Sequence, residues 1–277
     1  MCRSMFLVVP LALLTAVAGG CGGQYILTVS DQLAPPGGEA VAVVRLQRND
    51  FFVLSLAVEG AVMRFSIDQG PQRGAYTDKI GYAGASVPVP GAVGRYDLQV
   101  AHLDRQGDEV RASAPVYVWE TEKPIIAADL DSLPLVGPAA QEAQAALARL
   151  ACGANVLYMT RKGVDEHASL HEYLAGAGYP DGPVLLWQRE RWHIVRAGRY
   201  KLPRVVVESR LVGQLSQLRV MFPKLTTGVC DSKLAAKAFL EAGLRCVIVG
   251  EAKIDAGDAP DRITRYPSWA DLPGSGG

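Results

Sequence analysis

The stretch IIAADLDSL, from Ile125 to Leu133, decides how this chain is read. Apolar residues at 125–128 run straight into Asp129-Leu130-Asp131-Ser132-Leu133. A short continuous apolar run closed by turn-forming residues is the pattern of a strand buried on both faces, as in a parallel sheet. Two carboxylates two residues apart at the end of such a strand point the same way if the backbone stays extended, and a turn there can aim backbone N–H groups at an anion. Asp is also a favoured turn residue, so the pair alone describes a polar strand end equally well.

Working outward, the same rhythm continues downstream. Further apolar runs fall at 156–159, 184–187, 226–229 and 246–249, with helical stretches at 139–151, 164–177 and 233–242, and 205–218 readable as another. Strand and helix in alternation predict an α/β fold, a parallel sheet covered by helices over 123–272, with ligands at the carboxyl ends of its strands. Those ends carry chemistry. The second run closes on Thr160-Arg161-Lys162, a hydroxyl and two cations suited to a phosphate. Lys201 lies between the third run and a helical stretch, and Gly228-Val229-Cys230-Asp231-Ser232-Lys233 brings a third carboxylate to the edge. Asp129, Asp131 and Asp231 together offer the hard oxygen ligands that suit Mg2+.

Upstream the period changes. Short alternating stretches at 25–29, 40–46, 51–58, 62–67, 86–89, 96–102 and 114–119 are separated by Gly, Pro, Asn and Asp. This spacing predicts an antiparallel β-sandwich over 24–120, followed by the linker Thr121-Glu122-Lys123-Pro124. At the start, Arg3 precedes an apolar run at 5–17 and then Ala18-Gly19-Gly20-Cys21, the layout of a secretory signal over 1–20 with a cysteine at the cut. The run falls short of the roughly 20 residues that span a bilayer, which favours cleavage. The tail at 273–277 is rich in Gly and Ser and reads as disordered.

Lys plus Arg and Asp plus Glu balance at 28 each, so no net field recruits nucleic acid or an anionic surface. Setting aside Cys2 and Cys21 leaves Cys152, Cys230 and Cys246, an odd number without metal-ligand spacing, which reads as three buried thiols. His167 and His171 stand four apart on an expected helix, a spacing that can hold zinc; no third ligand is evident, and a solvent-facing pair is expected. Residues 189–200, with four arginines, form either a hairpin that helps hold an anionic substrate or a solvated hairpin with alternating faces.

The order Asp129-x-Asp131, Thr160, Lys201, Gly228-x-x-Asp231-Ser232-Lys233 resembles the signature motifs of the haloacid-dehalogenase (HAD) phosphohydrolases. The stretches 178–186 and 236–250 are similar to the catalytic domain of lipins, which are phosphatidate phosphatases, and to the related C-terminal domain of phosphatidylinositol-transfer proteins. The resemblance implies a HAD-like Rossmann fold in which Asp129 is the nucleophile and Asp131 the general acid and base. Thr160, Arg161 and Lys201 would hold the phosphoryl group and Asp129, Asp131 and Asp231 the Mg2+, with a phosphorylated small molecule or a phospholipid as substrate. The sequence departs from the family at Ser132-Leu133, where Gly-Thr is usual, and at Ala235, where a second acidic residue often stands. Some relatives bind phosphatidate without hydrolysing it, so a ligand-binding domain without turnover is the alternative. Residues 75–83 and 94–100 resemble the immunoglobulin-like modules of bacterial surface proteins, which leaves an envelope adhesion or scaffold role, with a protein partner on the first half, as a third reading. Ala18-Gly19-Gly20-Cys21 resembles the bacterial lipobox, apart from Ala18, and implies a cell-envelope lipoprotein held to the membrane through lipidated Cys21, on the periplasmic or outer-membrane side, with a plainly secreted protein as the alternative.

Overall fold

The computed structural model describes residues 24–50, 54–104, 107–134, 136–197, 200–251 and 260–273. The signal at 1–20, Cys21 and all but Pro273 of the tail lie outside these residues.

The first half is built of strands β1 (Gln24–Val29), β2 (Gln32–Ala34), β3 (Glu39–Asp50), β4 (Leu54–Ala57), β5 (Val62–Ile67), β6 (Arg73–Tyr76), β7 (Tyr82–Pro88), β8 (Gly94–Leu103) and β9 (Glu109–Val118). In one sheet β1, β4 and β7 all pair with β3; the other has the order β2-β9-β8-β5-β6. All pairs are antiparallel except β2 with β9, so the topology is mixed rather than purely antiparallel as expected. Alternation does the folding. Ala40, Ala42, Val44 and Leu46 of β3 face inward against Met63, Phe65 and Ile67 of β5, and the two sheets share one apolar core with Leu98, Val100 and Val116. The turn into β7 is tied by Asp78, whose Oδ1 accepts the N–H groups of Ile80 and Tyr82 at 3.0 and 2.9 Å. Gly81 completes that turn at φ +81°, where an added Cβ would collide with the Leu46 carbonyl.

The second half follows as β10 (Ile125–Asp129), α1 (Pro138–Ala151), β11 (Asn155–Thr160), α2 (His167–Gly176), β12 (Val184–Leu186), β13 (Gln188–Ala197), β14 (Tyr200–Ser209), α3 (Leu211–Met221), β15 (Leu225–Cys230), α4 (Lys233–Glu241), β16 (Arg245–Val249) and β17 (Ile263–Tyr266). Six strands form a parallel sheet in the order β12-β11-β10-β15-β16-β17. Every residue of β10 is buried. Ile125 and Ala127 pack with Leu215, Leu218 and Phe239 of α3 and α4, while Ile126 and Ala128 pack with Ala143, Leu147 and Leu170 of α1 and α2. A strand covered on both faces needs apolar residues at successive positions, which is why this run shows no alternation. From β10 the chain builds outward through β11 to β12, then returns to the other side of β10 for β15, β16 and β17. The order therefore reverses between β10 and β15, the place where open α/β sheets form a ligand crevice at their carboxyl edge.

Two readings of this half are corrected. Residues 205–218 are not one helix: β14 extends to Ser209, and α3 starts at Leu211. The run Val205-Val206-Val207 is β-branched and extends the hairpin, whereas Leu211, Leu215 and Leu218 repeat at helical spacing and are buried. Lys201 accordingly does not sit between a strand and a helix. It belongs to β14 and pairs with Arg196 of β13, close to the tip of a separate two-stranded sheet.

The two halves meet through apolar side chains. Leu33 of β2 and Tyr117 and Trp119 at the end of β9 belong to the same buried cluster as Leu185, Trp187, Leu211 and Leu215. The Tyr117 hydroxyl donates to Asp181 Oδ1 at 2.8 Å, and the Arg95 guanidinium lies 3.5 Å from the same carboxylate. Of the cysteines, Cys230 and Cys246 are buried as free thiols with their sulfurs 3.7 Å apart, but Cys152 is exposed. Cys152 follows the last residue of α1, where the helix leaves the core, so the expectation of a buried thiol there fails. Among the described residues no helix is long and apolar enough to cross a membrane.

Candidate functional site at the carboxyl edge of the parallel sheet

The last residue of β10 is Asp129, the last of β11 is Thr160, and Asp231 directly follows β15. Parallel strands in register deliver these residues to one edge on three neighbouring strands, across the reversal of strand order. After Asp129 the chain makes a 3-10 turn over Leu130–Ser132, which carries Asp131 and Ser132 over the strand end.

Asp129 is 3% exposed. Its Oδ2 accepts hydrogen bonds from the hydroxyls of Ser132 at 2.6 Å and Ser232 at 3.0 Å, and its Oδ1 accepts from the Asp131 N–H at 3.3 Å. None of these three donors is cationic. Burial pushes the Asp129 carboxyl above its ordinary value; the Ser132 and Ser232 hydroxyls pull it down and the nearby charge of Asp131 adds to the rise. Asp131 is held just as firmly. Its Oδ1 accepts from the Thr160 hydroxyl at 2.7 Å and its Oδ2 from the Arg161 N–H at 2.9 Å, with the exposed Arg161 guanidinium 3.5 Å away. Thr160 has no exposed surface, and its Oγ1 accepts from the Lys162 N–H at 3.2 Å. The Ser132 hydroxyl also accepts from the Asp231 N–H at 3.0 Å, which ties β15 to the turn after β10. The side chain of Asp231 is exposed.

Asp129, Asp131, Thr160, Arg161 and Asp231 thus lie at one edge of the sheet. Lys201 is positioned by the hairpin instead: eight residue steps along an extended strand separate it from Ser209 at the base, roughly 26 Å. The side chains of 189–208, including that of Lys201, lie outside the described residues. Ser132 and Ser232 were read only as motif neighbours, yet they close the site by bonding Asp129. Ala235, one turn into α4, is 2% exposed and faces the core, so an acidic side chain at that position would be buried there.

The carboxylates read as a Mg2+ set are largely hydrogen-bonded within the protein. Both oxygens of Asp131 are engaged by Thr160 and Arg161, and one oxygen of Asp129 by two hydroxyls. Among the described residues, the group of His, Cys, Asp or Glu whose ligand atoms lie within 4.8 Å of one another is a different one: Asp31, His167 and His171.

That second cluster lies between the halves and corrects the reading of the two histidines. His167, the first residue of α2, is 5% exposed, and His171 one turn later is partly buried. Asp31, in the turn between β1 and β2, has a fully buried side chain. Its Oδ1 lies 3.0 Å from His167 Nε2 and its Oδ2 lies 2.6 Å from His171 Nε2, while Oδ2 also accepts the Val184 N–H at 2.8 Å. Burial alone would raise the Asp31 carboxyl, but the two imidazoles outweigh it and hold the group below its ordinary value. Asp31 and His167 are 136 residues apart, so no local pattern could have joined them.

No protein-family model and no curated protein matches the chain. Among solved structures, the chain is similar over 34% of its length to 89% of the CARDB domain of the PF1109 protein from Pyrococcus furiosus, at 9% identity and TM-score 0.23. It is similar over 78% of its length to 57% of XAC1771, a carbohydrate acetylesterase from Xanthomonas citri, at 12% identity and TM-score 0.29. Over 36% of its length it is similar to 97% of CopC from Methylosinus trichosporium OB3b, at 17% identity and TM-score 0.22. Scores this low tie the chain to none of them.

Proposed function

We propose that the chain is a cell-envelope protein whose α/β half has the frame of a HAD-type phosphohydrolase and binds a phosphorylated or anionic ligand without turning it over. The observation that carries this reading is the closed state of Asp129. A carboxylate that attacks phosphorus needs an open approach and cations that cancel the repulsion between anions. Asp129 is 3% exposed and bonded by two hydroxyls and a backbone N–H. Ala235 in the core and the strand position of Lys201 are consistent with the same loss. Binding draws on a different part of the edge, where the Arg161 guanidinium is exposed beside Asp131. In this reading the immunoglobulin-like first half is the platform, and Cys21 is the lipidated anchor.

Turnover is the second reading, and one observation favours it: Asp129, Asp131, Thr160 and Asp231 come together in the motif order at the reversal of the sheet.

Solution calorimetry with short-chain phosphatidate and with inorganic phosphate tests the binding reading without interference from the anchor. Saturable binding that weakens about tenfold in Arg161→Ala is expected, the loss of one charge-assisted hydrogen bond. Absence of binding to both, or binding unchanged in Arg161→Ala, contradicts it.

A further inference from the structure

The Asp31, His167 and His171 cluster has a donor set that the sheet edge lacks. Two imidazoles four residues apart leave one helix face toward the same point, and a carboxylate from the other half of the molecule meets them there. Two nitrogens and one oxygen, all within 4.8 Å of one another, are the three-protein-ligand arrangement of a tetrahedral transition-metal site whose fourth position is left to solvent. The metal-free cluster is also unsatisfied. Asp31 Oδ1 is buried and has no hydrogen-bond donor. His167 Nε2 lies 3.2 Å from the Asp31 N–H and 3.0 Å from Asp31 Oδ1, and one ring nitrogen cannot both accept from the first and donate to the second. With the lone pair kept for the N–H, the buried Oδ1 is left without a positive partner at this nitrogen.

We infer that Asp31, His167 and His171 bind a divalent transition ion of the Zn2+ class that bridges the two halves of the molecule. The separations of 2.6 and 3.0 Å are those of hydrogen bonds. Ligands about 2.0–2.1 Å from a tetrahedral zinc stand roughly 3.3 Å apart, so the cluster opens by a few tenths of an ångström on loading. His167 and His171 are among the residues that line a cleft of about 760 Å3 between the halves. Because Asp31 belongs to the first half and the histidines to the second, the ion fixes the angle at which the α/β half is presented. The inference is independent of ligand binding at the sheet edge.

The test uses the full chain stripped with EDTA and titrated with Zn2+, Co2+ and Mg2+ by calorimetry, with Co2+ absorption reporting coordination. One Zn2+ or Co2+ per chain, tetrahedral Co2+ bands and no competition by Mg2+ are expected. His171→Gln, at a partly exposed position that tolerates a polar side chain, should lower the affinity by more than about 100-fold, the upper end of the effect of losing an outer-shell partner. Asp31→Asn should do the same where circular dichroism shows it folded. Failure of the stripped wild type to bind Zn2+ or Co2+ overturns the proposal and leaves a hydrogen-bonded clamp. Binding that persists in His171→Gln and disappears in Asp129→Asn also overturns it, since the ion would then sit at the sheet edge.

Discussion

At the scale of the residue, burial explains why some motif positions hold the types they do. Gly228 packs with its Cα against the ring of Phe239, so that a Cβ would run into the ring. Gly228→Ala should therefore cost about 1–3 kcal/mol, the usual price of overpacking, read as a lower urea midpoint; an unchanged midpoint would show that α4 moves aside freely. Asp129 makes a second prediction, through its raised pKa. The folded state holds this proton more tightly than the unfolded chain does, so the stabilisation is fully present below the ordinary value near 4 and is lost as pH rises through the folded value. Asp129→Asn removes that loss. Wild type should fall relative to Asp129→Asn in urea midpoint as pH rises from about 4, and parallel pH profiles would contradict the burial argument. The carboxylates were legible because each follows an apolar run. The roles of Ser132 and Ser232 were not, because whether a hydroxyl faces ligand or neighbour depends on the closure of the turn over the strand end. Asp31 was invisible for a different reason, since its partners lie on the other half.

At the scale of the element, periodicity located the strands and helices best where a single face or both faces are buried. The alternating β5 and the fully buried β10 both stand where their patterns put them. The hairpin expected at 189–200 is present as β13 and β14, and the reading slipped where β14 continues through 205–209. Apolar and charged residues mix there in sequence, and its valines read as well in a helix as in a strand. Short elements such as β2 and β6 carry too few residues for a period to show. The hairpin pairs only within itself in the sheet topology, and its base residues Gln188 and Ser209 face one another. Joining them through a two-residue turn in place of 189–208 should leave the parallel sheet intact, with stability changed by no more than about 1 kcal/mol, because an isolated two-stranded ribbon is marginal in itself. Loss of cooperative unfolding in that deletion would mean that the arm supports the core.

At the scale of the molecule, the two halves are joined by more than the linker at 121–124. Trp119, 8% exposed, sits in the cluster shared by β2, β9, β12 and α3. The full chain should unfold in a single calorimetric transition, and Trp119→Ala should cost about 3–5 kcal/mol and separate the transitions of the halves. Two transitions already in wild type would show that the interface is weaker than its burial implies. The two-part architecture was readable from the change of period near Lys123, but the docking was not, because Leu33, Tyr117 and Trp119 look like ordinary strand residues until their partners are known. The carboxyl edge remains the centre of the account, and release of inorganic phosphate from a panel of phosphomonoesters and phosphatidate in Mg2+, comparing wild type with Asp129→Asn, tests it most directly. The closed Asp129 predicts that neither protein releases phosphate above the blank; release by wild type that Asp129→Asn abolishes would contradict it and make the domain an enzyme.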